Sequence, residues 1–507
     1  MFIRKNKNRS GSYSVQIIEK RSGHYRLVKT IGSGRTAQEL EKLEYQARQE
    51  ISLLKGQPGL FTTKEDSLLE GFLSELENAS VSVVGPELVY GKLYDQIGYS
   101  AIEHPLFCHL VISRLVYPGS KLKTIDYLYR YQGIELKVDS IYRFMDKLKD
   151  DLKERVEQVA FAHTKKILGG KISIVFYDMT TVYFEASTED DFRRAGFSKE
   201  GKHQNPQIYV GLLVGPGGYP IAYDLFEGDI YEGHTLIPIL EKFEKRFELK
   251  KPIVIADAGL LSNENIKGLV SKGYQYILGG RIKNESKKVK EAILKETWSD
   301  SKAVKYTLAE GKKLIVSYSD KRAKKDAFNR NRGLKRLEKH LQSGKLTKLH
   351  INKRGYNKYL QMEGKVKVSI DYEKFEKDAC WDGLKGYVTN TKLKPRKVIE
   401  AYNELWNIER AFRISKTDLK VRPIYHRLRH RIEAHFCIAF SAYTIFKELE
   451  RLLYKANAPF SAKRAAELAK NMYQINITLP DSKVSKNFLL KNDPEQKKLI
   501  HILKIQT

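Results

Sequence analysis

Two aspartates in this chain each lie near the end of a buried, apolar and β-branched run. Asp178 follows the stretch ISIVFY, and Asp257 follows the stretch PIVIA. An acid at the carboxyl end of a core strand faces the crevice where α/β proteins bind ligands. A single acid in such a place is more often a turn or capping residue. Two of them in one sheet of a basic protein predict a pair of metal ligands.

A third acid, Glu409, stands out because of its neighbours. Tyr402, Glu409 and Lys416 are spaced by seven residues, nearly two turns of an α-helix, so the three side chains are predicted to line one face. Trp406 and Arg413 flank this stripe. A core stripe would be apolar, and a solvated face rarely carries Trp and Tyr. A face that touches DNA beside a metal uses acid, cation and ring together.

The elements that would position these acids follow an α/β pattern. The runs ISIVFYDMTTVYF, QIYVGLLV and YPIAYDLFEG read as strands, and a Gly-Pro-Gly-Gly turn at 215–218 joins the last two. A helical stretch, the strand PIVIAD, another helix and the strand YQYILGG follow. This order predicts a mixed sheet with an antiparallel start and a parallel continuation. One long helix is predicted from about Pro395, carrying Tyr402, Glu409 and Lys416.

The charge balance predicts a polyanionic partner. Lys and Arg number 91 against 61 acidic residues, which gives a formal charge of +30 and a pI near 9.6. Neutralising phosphates releases counterions and drives association. The basic residues are also clustered. Up to Arg35 there are nine cations against the single acid Glu19, and from Lys321 to Arg354 there are thirteen against Asp326 and Glu338.

The flanking segments predict smaller elements. Residues 11–32 read as two strands joined by a turn at Arg21-Ser22-Gly23, and a helix-like stretch follows from Thr36. Between about 102 and 168 the pattern is mostly helical. SKLKTIDYLYRYQG and ELKVDSIYRFMDKLK are predicted as two helices, with Ser140 as an N-cap. A helix-turn-helix is one interpretation of this pair, and generic helical packing is the more frequent one. The last fifty residues predict a helix and a polar tail.

Cysteine use and hydropathy exclude other classes of protein. Cys108, Cys380 and Cys437 are far apart and form no CxxC pair, which excludes a disulfide framework and a zinc site. The basic start lacks the apolar run of a signal peptide, and no stretch approaches the ~18 apolar residues of a membrane span. The sequence therefore predicts a cytoplasmic protein with no membrane partner, associated with the nucleoid in a prokaryote.

The sequence resembles the DDE transposases of bacterial insertion sequences, which have a ribonuclease-H-like core. The resemblance covers about Ile172 to His435. Three blocks carry it: VFYDMTTVYFEA with QIYVGLLVGPGGYPIAYDLFEG, then IVIADAGLLS, then YNELWNIERAFRISKTDLKVRPIYH. It is strongest for the branch with a β-rich segment between the second Asp and the Glu. The family's Tyr, Arg, Glu and Lys map onto Tyr402, Leu405, Glu409 and Lys416, so one expected Arg is missing.

This resemblance implies a catalytic and metal-binding triad of Asp178, Asp257 and Glu409. The implied cofactor is a pair of Mg²⁺ ions, for which Mn²⁺ can substitute. Implied partners are double-stranded DNA, in particular the terminal inverted repeats of the chain's own element and a target, and a second copy of the chain assembled on DNA. The implied DNA contacts are Tyr402, Lys416, Arg410 and Arg413, the two arginines standing in for the missing one, and Trp381, where related enzymes hold a flipped base.

The predicted fold is an α/β, ribonuclease-H-like mixed sheet interrupted by a β-rich insertion, with an N-terminal β-hairpin arm and a helical region. The predicted domains are a DNA-binding hairpin arm with a connecting helix (1–99), a helical DNA-end-binding region (100–168), the first part of the catalytic core (169–300), a basic β-rich insertion (301–394), the last part of the core with the Glu409 helix (395–455) and a helical tail (456–507). Two alternatives stay open: a structure-selective nuclease or resolvase with the same core, and a non-catalytic DNA-binding derivative.

Overall fold

The structure is a computed structural model of the chain. It describes residues 1–21, 23–55, 81–147, 152–186, 188–196, 201, 204–248, 250–347, 350–352, 355–363, 367–478 and 484–506. Two compact units result, Met1–Val81 and Ser82–Thr507. In the described residues, no helix is both long enough and apolar enough to cross a membrane.

The first unit is a three-stranded antiparallel sheet with one helix packed on it. Its elements are β1 (Phe2–Lys7), β2 (Tyr13–Arg21), β3 (His24–Gly34) and α1 (Ala37–Leu54). Val15, Ile17 and Ala47 form the buried contact between sheet and helix. The predicted hairpin of β2 and β3 and the helix after it are confirmed, although Ser22 of the predicted turn lies outside the described residues. The strand β1 was not predicted.

A mostly helical segment opens the second unit. It contains β4 (Val81–Val83), α2 (Lys92–Ile97), α3 (Pro105–Val116), α4 (Lys121–Gln132), α5 (Val138–Lys147) and α6 (Leu152–Ile167). The two predicted helices α4 and α5 are confirmed. The predicted N-cap Ser140 is wrong, because it lies inside α5. The serine that caps a helix here is Ser120, whose side chain accepts a hydrogen bond from the Lys123 amide at 3.3 Å.

The central sheet confirms the predicted strand order. Its first elements are β5 (Ile174–Tyr183), β6 (Gln207–Val214), β7 (Pro220–Glu227), α7 (Leu236–Phe247), β8 (Ile253–Ala256), α8 (Asn263–Ser271) and β9 (Tyr276–Gly280). β5, β6 and β7 are antiparallel neighbours, whereas β8 runs parallel to both β5 and β9. This is the ribonuclease-H-like arrangement. Apolar layers cover both faces of the sheet, with Val175 facing α7 and α8 and Phe176 on the opposite side.

The segment before the Glu409 helix adds both strands and helices. It contains α9 (Lys287–Lys295), β10 (Ala303–Thr307), β11 (Lys313–Tyr318), α10 (Asp320–Gln342), β12 (Leu360–Glu363), β13 (Lys367–Ile370), α11 (Tyr372–Ala379) and β14 (Leu384–Thr389). β10, β11 and β14 extend the central sheet to eight strands, in the order β10-β11-β14-β9-β8-β5-β6-β7. Most of the dense basic run folds as the single helix α10. Residues 348, 349, 353 and 354 of that run lie outside the described part.

The C-terminal part differs from its prediction in two places. Its elements are α12 (Pro395–Asn403), α13 (Trp406–Thr417), α14 (Arg429–Lys455), α15 (Ala462–Lys470), β15 (Tyr473–Thr478), β16 (Ser485–Leu489) and α16 (Pro494–Leu503). The predicted C-terminal helix is present as α15, whereas the stretch predicted as a polar tail contains β15 and β16, which form a sheet with β4, far away in sequence. The predicted single helix from Pro395 is two helices, α12 and α13. Bonds of the i to i+3 type link them, such as Leu405 N to Tyr402 O at 3.0 Å.

Candidate active site

The sheet places Asp178 and Asp257 side by side. β5 and β8 are parallel, and Tyr177 is the register partner of Ala256, so the two aspartates are the next residues along each chain. β8 ends at Ala256, directly before Asp257. Asp178 is not at a strand end as predicted, because β5 continues to Tyr183 paired with β6 alone. The two acids therefore meet where the parallel pairing stops.

Tyr402 reaches these acids from α12. Its hydroxyl donates a hydrogen bond to Asp257 Oδ1 at 3.1 Å. The ring lies over Gly279 of β9, where a Cβ would stand 2.6 Å from the Tyr402 oxygen. Only glycine leaves room for this approach. Burial and the neighbouring Asp257 carboxylate raise the pKa of the Tyr402 phenol, so it stays a hydrogen-bond donor at neutral pH.

Glu409 lies in the first turn of α13, and its side chain is exposed. Within the described residues its carboxylate makes no hydrogen bond and no ion pair. Electrostatic interactions link it to Tyr402 and Lys385, both of which also interact with Asp257. Glu409 and Asp257 thus share two neighbours, although they come from a helix and a strand end that are distant in sequence.

Lys385 is a site residue that the sequence analysis missed. It lies on β14, and its ammonium is 4.5 Å from the centre of the Tyr402 ring. Burial and the nearby Arg322 lower the pKa of Lys385, whereas Asp257 and Glu409 favour its charged form. A signal was present in the sequence, because DGLKGYVTNT places a lysine inside a strand that is otherwise buried.

Lys416 is held against the strand that carries Asp178. Its ammonium donates a hydrogen bond to Thr180 Oγ1 at 2.7 Å, and Thr180 is two residues beyond Asp178 on β5. The predicted stripe of Tyr402, Glu409 and Lys416 is therefore divided between two helices. Tyr402 is nevertheless hydrogen-bonded to Asp257, and Lys416 is hydrogen-bonded to the strand that carries Asp178. Glu409 interacts electrostatically with Tyr402.

Leu405 occupies the position of the family's arginine, and Arg410 and Arg413 are its predicted substitutes. The three residues lie in different surroundings. Leu405 is buried between α12 and α13, so this position packs into the core. The guanidinium of Arg410 pairs with Glu450 of α14 and lies over the Trp406 ring, 5.9 Å from its centre. Arg413 is exposed on α13. Neither arginine has a described contact with the three acids, whereas Lys385 places a cation beside two of them.

Trp381 lines a cleft next to these acids. The cleft has a volume of about 610 Å³ and includes Lys385 in its wall, together with Arg281, Lys283, Arg322, Arg330 and Lys358. The Lys283 ammonium lies 5.9 Å from the centre of the Trp381 ring. Arg281 also donates to the carbonyl of Ala258 at 2.8 Å and so fixes the residue after Asp257. The wall of this cleft therefore combines six cations with aromatic rings and three acids, Asp326, Asp378 and Asp382, and it shares Lys385 with the acid cluster.

Several titratable groups outside the acid cluster are held by polar partners or by burial. Asp224 binds Lys153 at 2.6 Å and Lys242 at 2.8 Å. His430 binds Asp146 at 2.8 Å. Burial lowers the pKa of His426 to about 4, so it is neutral at neutral pH. These groups hold the fold together outside the acid cluster.

The donor chemistry of the three acids fits a divalent cation. Carboxylates are the oxygen ligands that Mg²⁺ and Mn²⁺ prefer. Glu409 makes no competing ion pair in the described part of the chain, and Asp257 accepts a single neutral hydroxyl. Among the described residues no three His, Cys, Asp or Glu side chains are close enough to hold an ion. The chemistry of the donors therefore fits, while their spacing is wider than in a formed site.

Two acids lie where the parallel pairing of β5 and β8 stops, and a third lies on a helix that follows the sheet. This arrangement is typical of a class of proteins that transfer phosphoryl groups of nucleic acids. The family model "Transposase DDE domain" matches residues 169–445. The chain belongs to this transposase family. The match spans the sheet, the acids and both helices α12 and α13.

Two solved transposase structures also match this chain. One is a piggyBac transposase synaptic complex with hairpin DNA, with 9% identity, TM-score 0.39, 76% of this chain and 78% of that chain covered. The other is a Mos1 transposase paired-end complex with the left transposon end, with 9% identity, TM-score 0.16, 31% of this chain and 53% of that chain covered. Both scores are too low to add to the family match. No curated protein matches the chain.

Proposed function

We propose that this transposase binds the terminal inverted repeats of its own element and carries out both cleavage and strand transfer on DNA. The observation that carries the proposal is the register of β5 and β8. It sets Asp178 beside Asp257, and Tyr402 and Lys385 connect Asp257 to Glu409. These three carboxylates would hold two Mg²⁺ ions, or Mn²⁺ in their place. Such ions activate the attacking oxygen and stabilise the leaving oxygen of an in-line displacement.

The protein's own groups position the DNA and neutralise its charge. Lys416 and Lys385 flank the acids from α13 and β14, and each ammonium suits a phosphate oxygen near the scissile bond. Tyr402 keeps Asp257 oriented through its hydrogen bond. One site serves two reactions. In cleavage a water oxygen attacks phosphorus and the 3′ oxygen leaves. In joining, that 3′-hydroxyl attacks a target phosphate and displaces the target's 3′ oxygen.

Further contacts are proposed around this centre. Trp381, in the wall of its cleft, would hold a base turned out of the duplex. Arg413 and Arg410 would contact the DNA backbone, Arg413 being the exposed one of the two. The first unit and the helical segment would recognise the element ends, and two copies of the chain would assemble on paired ends.

Alanine substitution of each acid tests the proposal. Asp178→Ala, Asp257→Ala and Glu409→Ala should each abolish cleavage and strand transfer while end binding is retained, because affinity comes from phosphate contacts. Cleavage is measured on labelled end DNA in Mg²⁺, and binding by gel shift. Glu400→Ala is the matched control, since Glu400 is an exposed acid on α12 that pairs with Lys397 at 2.8 Å.

The outcomes separate the alternatives. Near-normal cleavage by any of the three variants would remove that residue from the triad. Cleavage without joining by the unmodified chain would favour a structure-selective nuclease or resolvase. Binding with neither activity would favour a non-catalytic derivative.

A further inference from the structure

Three tyrosines packed against one another, two of them stacked, line a second cleft at the other end of α13 from Glu409. The rings of Tyr117 and Tyr131 are parallel within 9°, with centres 5.5 Å apart. Tyr127 packs against both, at 4.4 Å from Tyr117 and 5.7 Å from Tyr131. Tyr127 is buried, whereas 38% of Tyr131 is exposed. The outer ring of the stack therefore offers an aromatic surface to a ligand.

This tyrosine cleft has the size of a nucleotide site. It has a volume of about 650 Å³ and is formed by α4, α15 and the residues after α13. Pockets for small ligands have volumes of roughly 300–1,000 Å³. Aromatic rings that bind single-stranded DNA do so by stacking on any base, since every base has a flat π face.

Lysines surround the tyrosine stack. Lys123, Lys420 and Lys463 line the cleft, are exposed, and make no ion pair within the described residues. A fourth, Lys470, lies 5.1 Å from the centre of the Tyr117 ring and pairs with Glu467 at 3.0 Å.

Two further acids line the cleft, Asp126 and Asp418. Asp126 pairs with Arg130 at 2.6 Å, so its charge is already matched, and Asp418 is exposed. Three lysines thus stay available for phosphate around a ring that can stack a base.

The loop at the cleft's edge is held rigidly. Lys420 adopts a left-handed backbone conformation with φ of 44°, which is costly for a residue other than glycine. The buried guanidinium of Arg114 donates to the carbonyls of Leu419 at 3.5 Å and Lys420 at 3.3 Å. These bonds fix the loop that presents the Lys420 side chain to the cleft.

The distance to Glu409 suits a DNA strand that passes both places. Thr417, in the cleft wall, is eight residues after Glu409 on α13, about 12 Å along the helix axis at ~1.5 Å per residue. Stacked nucleotides of one strand advance by about 3.4 Å each. A strand with its scissile phosphate near Glu409 therefore reaches the cleft within a few nucleotides.

We propose that the tyrosine cleft binds an unpaired nucleotide of the DNA strand leading away from the cleavage site, with its base on Tyr131 and its phosphate against Lys123, Lys420 or Lys463. The proposal rests on the proposed function of the acid cluster, but the cleft itself takes part in no chemistry. It would hold the strand after the duplex opens, next to the place where the strand is cut.

Two tyrosines of α4 provide the test. Tyr131 lines the cleft, while Tyr129 is on the same helix, is 61% exposed and is not part of the cleft wall. The probe is an end duplex with a short single-stranded extension carrying 2-aminopurine, whose fluorescence falls when the base stacks. Tyr131→Ala in the full chain should abolish the fluorescence loss and weaken binding of the extension roughly tenfold. Tyr129→Ala should leave both unchanged. Equal thermal unfolding of the two variants checks the fold.

Other outcomes decide against the cleft or against the proposed function. Equal effects of Tyr131→Ala and Tyr129→Ala, or none from either, would overturn the proposal. So would displacement of the probe by polyglutamate as readily as by oligothymidine, since that indicates an acidic protein partner. A Tyr131-dependent signal in a chain that does not cleave would uphold the cleft and refute the proposed function. Cleavage that depends on the three carboxylates, without a Tyr131-dependent signal, would uphold the proposed function and refute the cleft.

Discussion

Lys385 differs from the other residues of the candidate site, because its position depends on strand pairing and not on its neighbours in the sequence. Asp178 and Asp257 follow apolar runs that are visible in the sequence, and Glu409 has informative neighbours at helical spacing. For Lys385 it is the pairing of β14 with β9 that brings it over Tyr402. Strand pairing between segments a hundred residues apart leaves no local pattern. The sequence therefore indicated the acids and missed the lysine beside them.

Lys385 gives the prediction at the scale of the residue. Lys385→Met keeps most of the aliphatic stem that covers the Tyr402 ring but removes the charge beside Asp257 and Glu409. Cleavage should fall about 10²-fold, the usual loss when one charge-stabilising donor is removed. The slope of binding against salt should become shallower by about one unit. Steady-state cleavage and binding titrations at several salt concentrations measure both effects.

The control for Lys385 is the exposed Lys392, which follows the same strand β14. Lys392→Met should leave cleavage within about twofold, the range expected for a surface substitution. Equal losses of cleavage with Lys385→Met and Lys392→Met would mean that Lys385 contributes only to the overall positive charge of the chain. Leu405 occupies the position of the family's arginine. Unchanged cleavage with Lys385→Met would show that Lys385 does not replace that arginine.

At the scale of the element, the first unit has two different sheet faces. Lys5 pairs with Glu44, and Lys29 pairs with Glu50 at 2.6 Å, so both lysines face α1. Side chains alternate along a strand, so Arg4 points to the opposite face. On that face Phe2 contacts Tyr25, and Lys20 lies 5.6 Å from the centre of the Tyr25 ring. The face opposite the helix thus combines cations with exposed rings.

The sheet face opposite α1 carries the second prediction. The double variant Arg4→Ala, Lys20→Ala should weaken binding to element ends roughly tenfold, because two phosphate or base contacts are lost. The double variant Lys5→Ala, Lys29→Ala is the matched control and should bind nearly normally. Gel shifts with matched and scrambled ends provide the measurement. Equal losses on both probes would mean that the arm supplies only general charge, and equal losses in both variants would exclude this face.

Periodicity predicted most elements but not where they end or what they pair with. The five core strands and the hairpin follow from alternating or continuous apolar runs. The division between α12 and α13 could not be predicted, because AYNELWNI contains no Gly or Pro to mark it. The strands β15 and β16 lie in a polar-looking tail and depend on β4, almost four hundred residues away. Such pairings are decided by tertiary contacts rather than by local sequence.

At the scale of the whole molecule, an exposed cluster of acids lies in a chain whose overall charge is strongly positive. Asp257 and Glu409 are exposed, which leaves the site accessible to a duplex. The formal charge of +30 favours association with a polyanion from a distance. Clusters of cations lie in the first unit, on α10 and around the Trp381 cleft. Each cluster is by itself a proposed contact for DNA, and the three acids are the proposed place of cleavage.

The most direct measurement asks whether each acid is a metal ligand. Asp178, Asp257 and Glu409 are replaced one at a time by cysteine, and cleavage of end DNA is compared in Mg²⁺ and in Mn²⁺. A thiolate binds Mg²⁺ poorly but accepts the softer Mn²⁺. Each cysteine variant should be inactive in Mg²⁺ and regain cleavage in Mn²⁺, whereas the alanine variants should stay inactive in both. Cysteine variants that cleave equally in both metals, or in neither while the unmodified chain cleaves, would contradict the metal-binding triad.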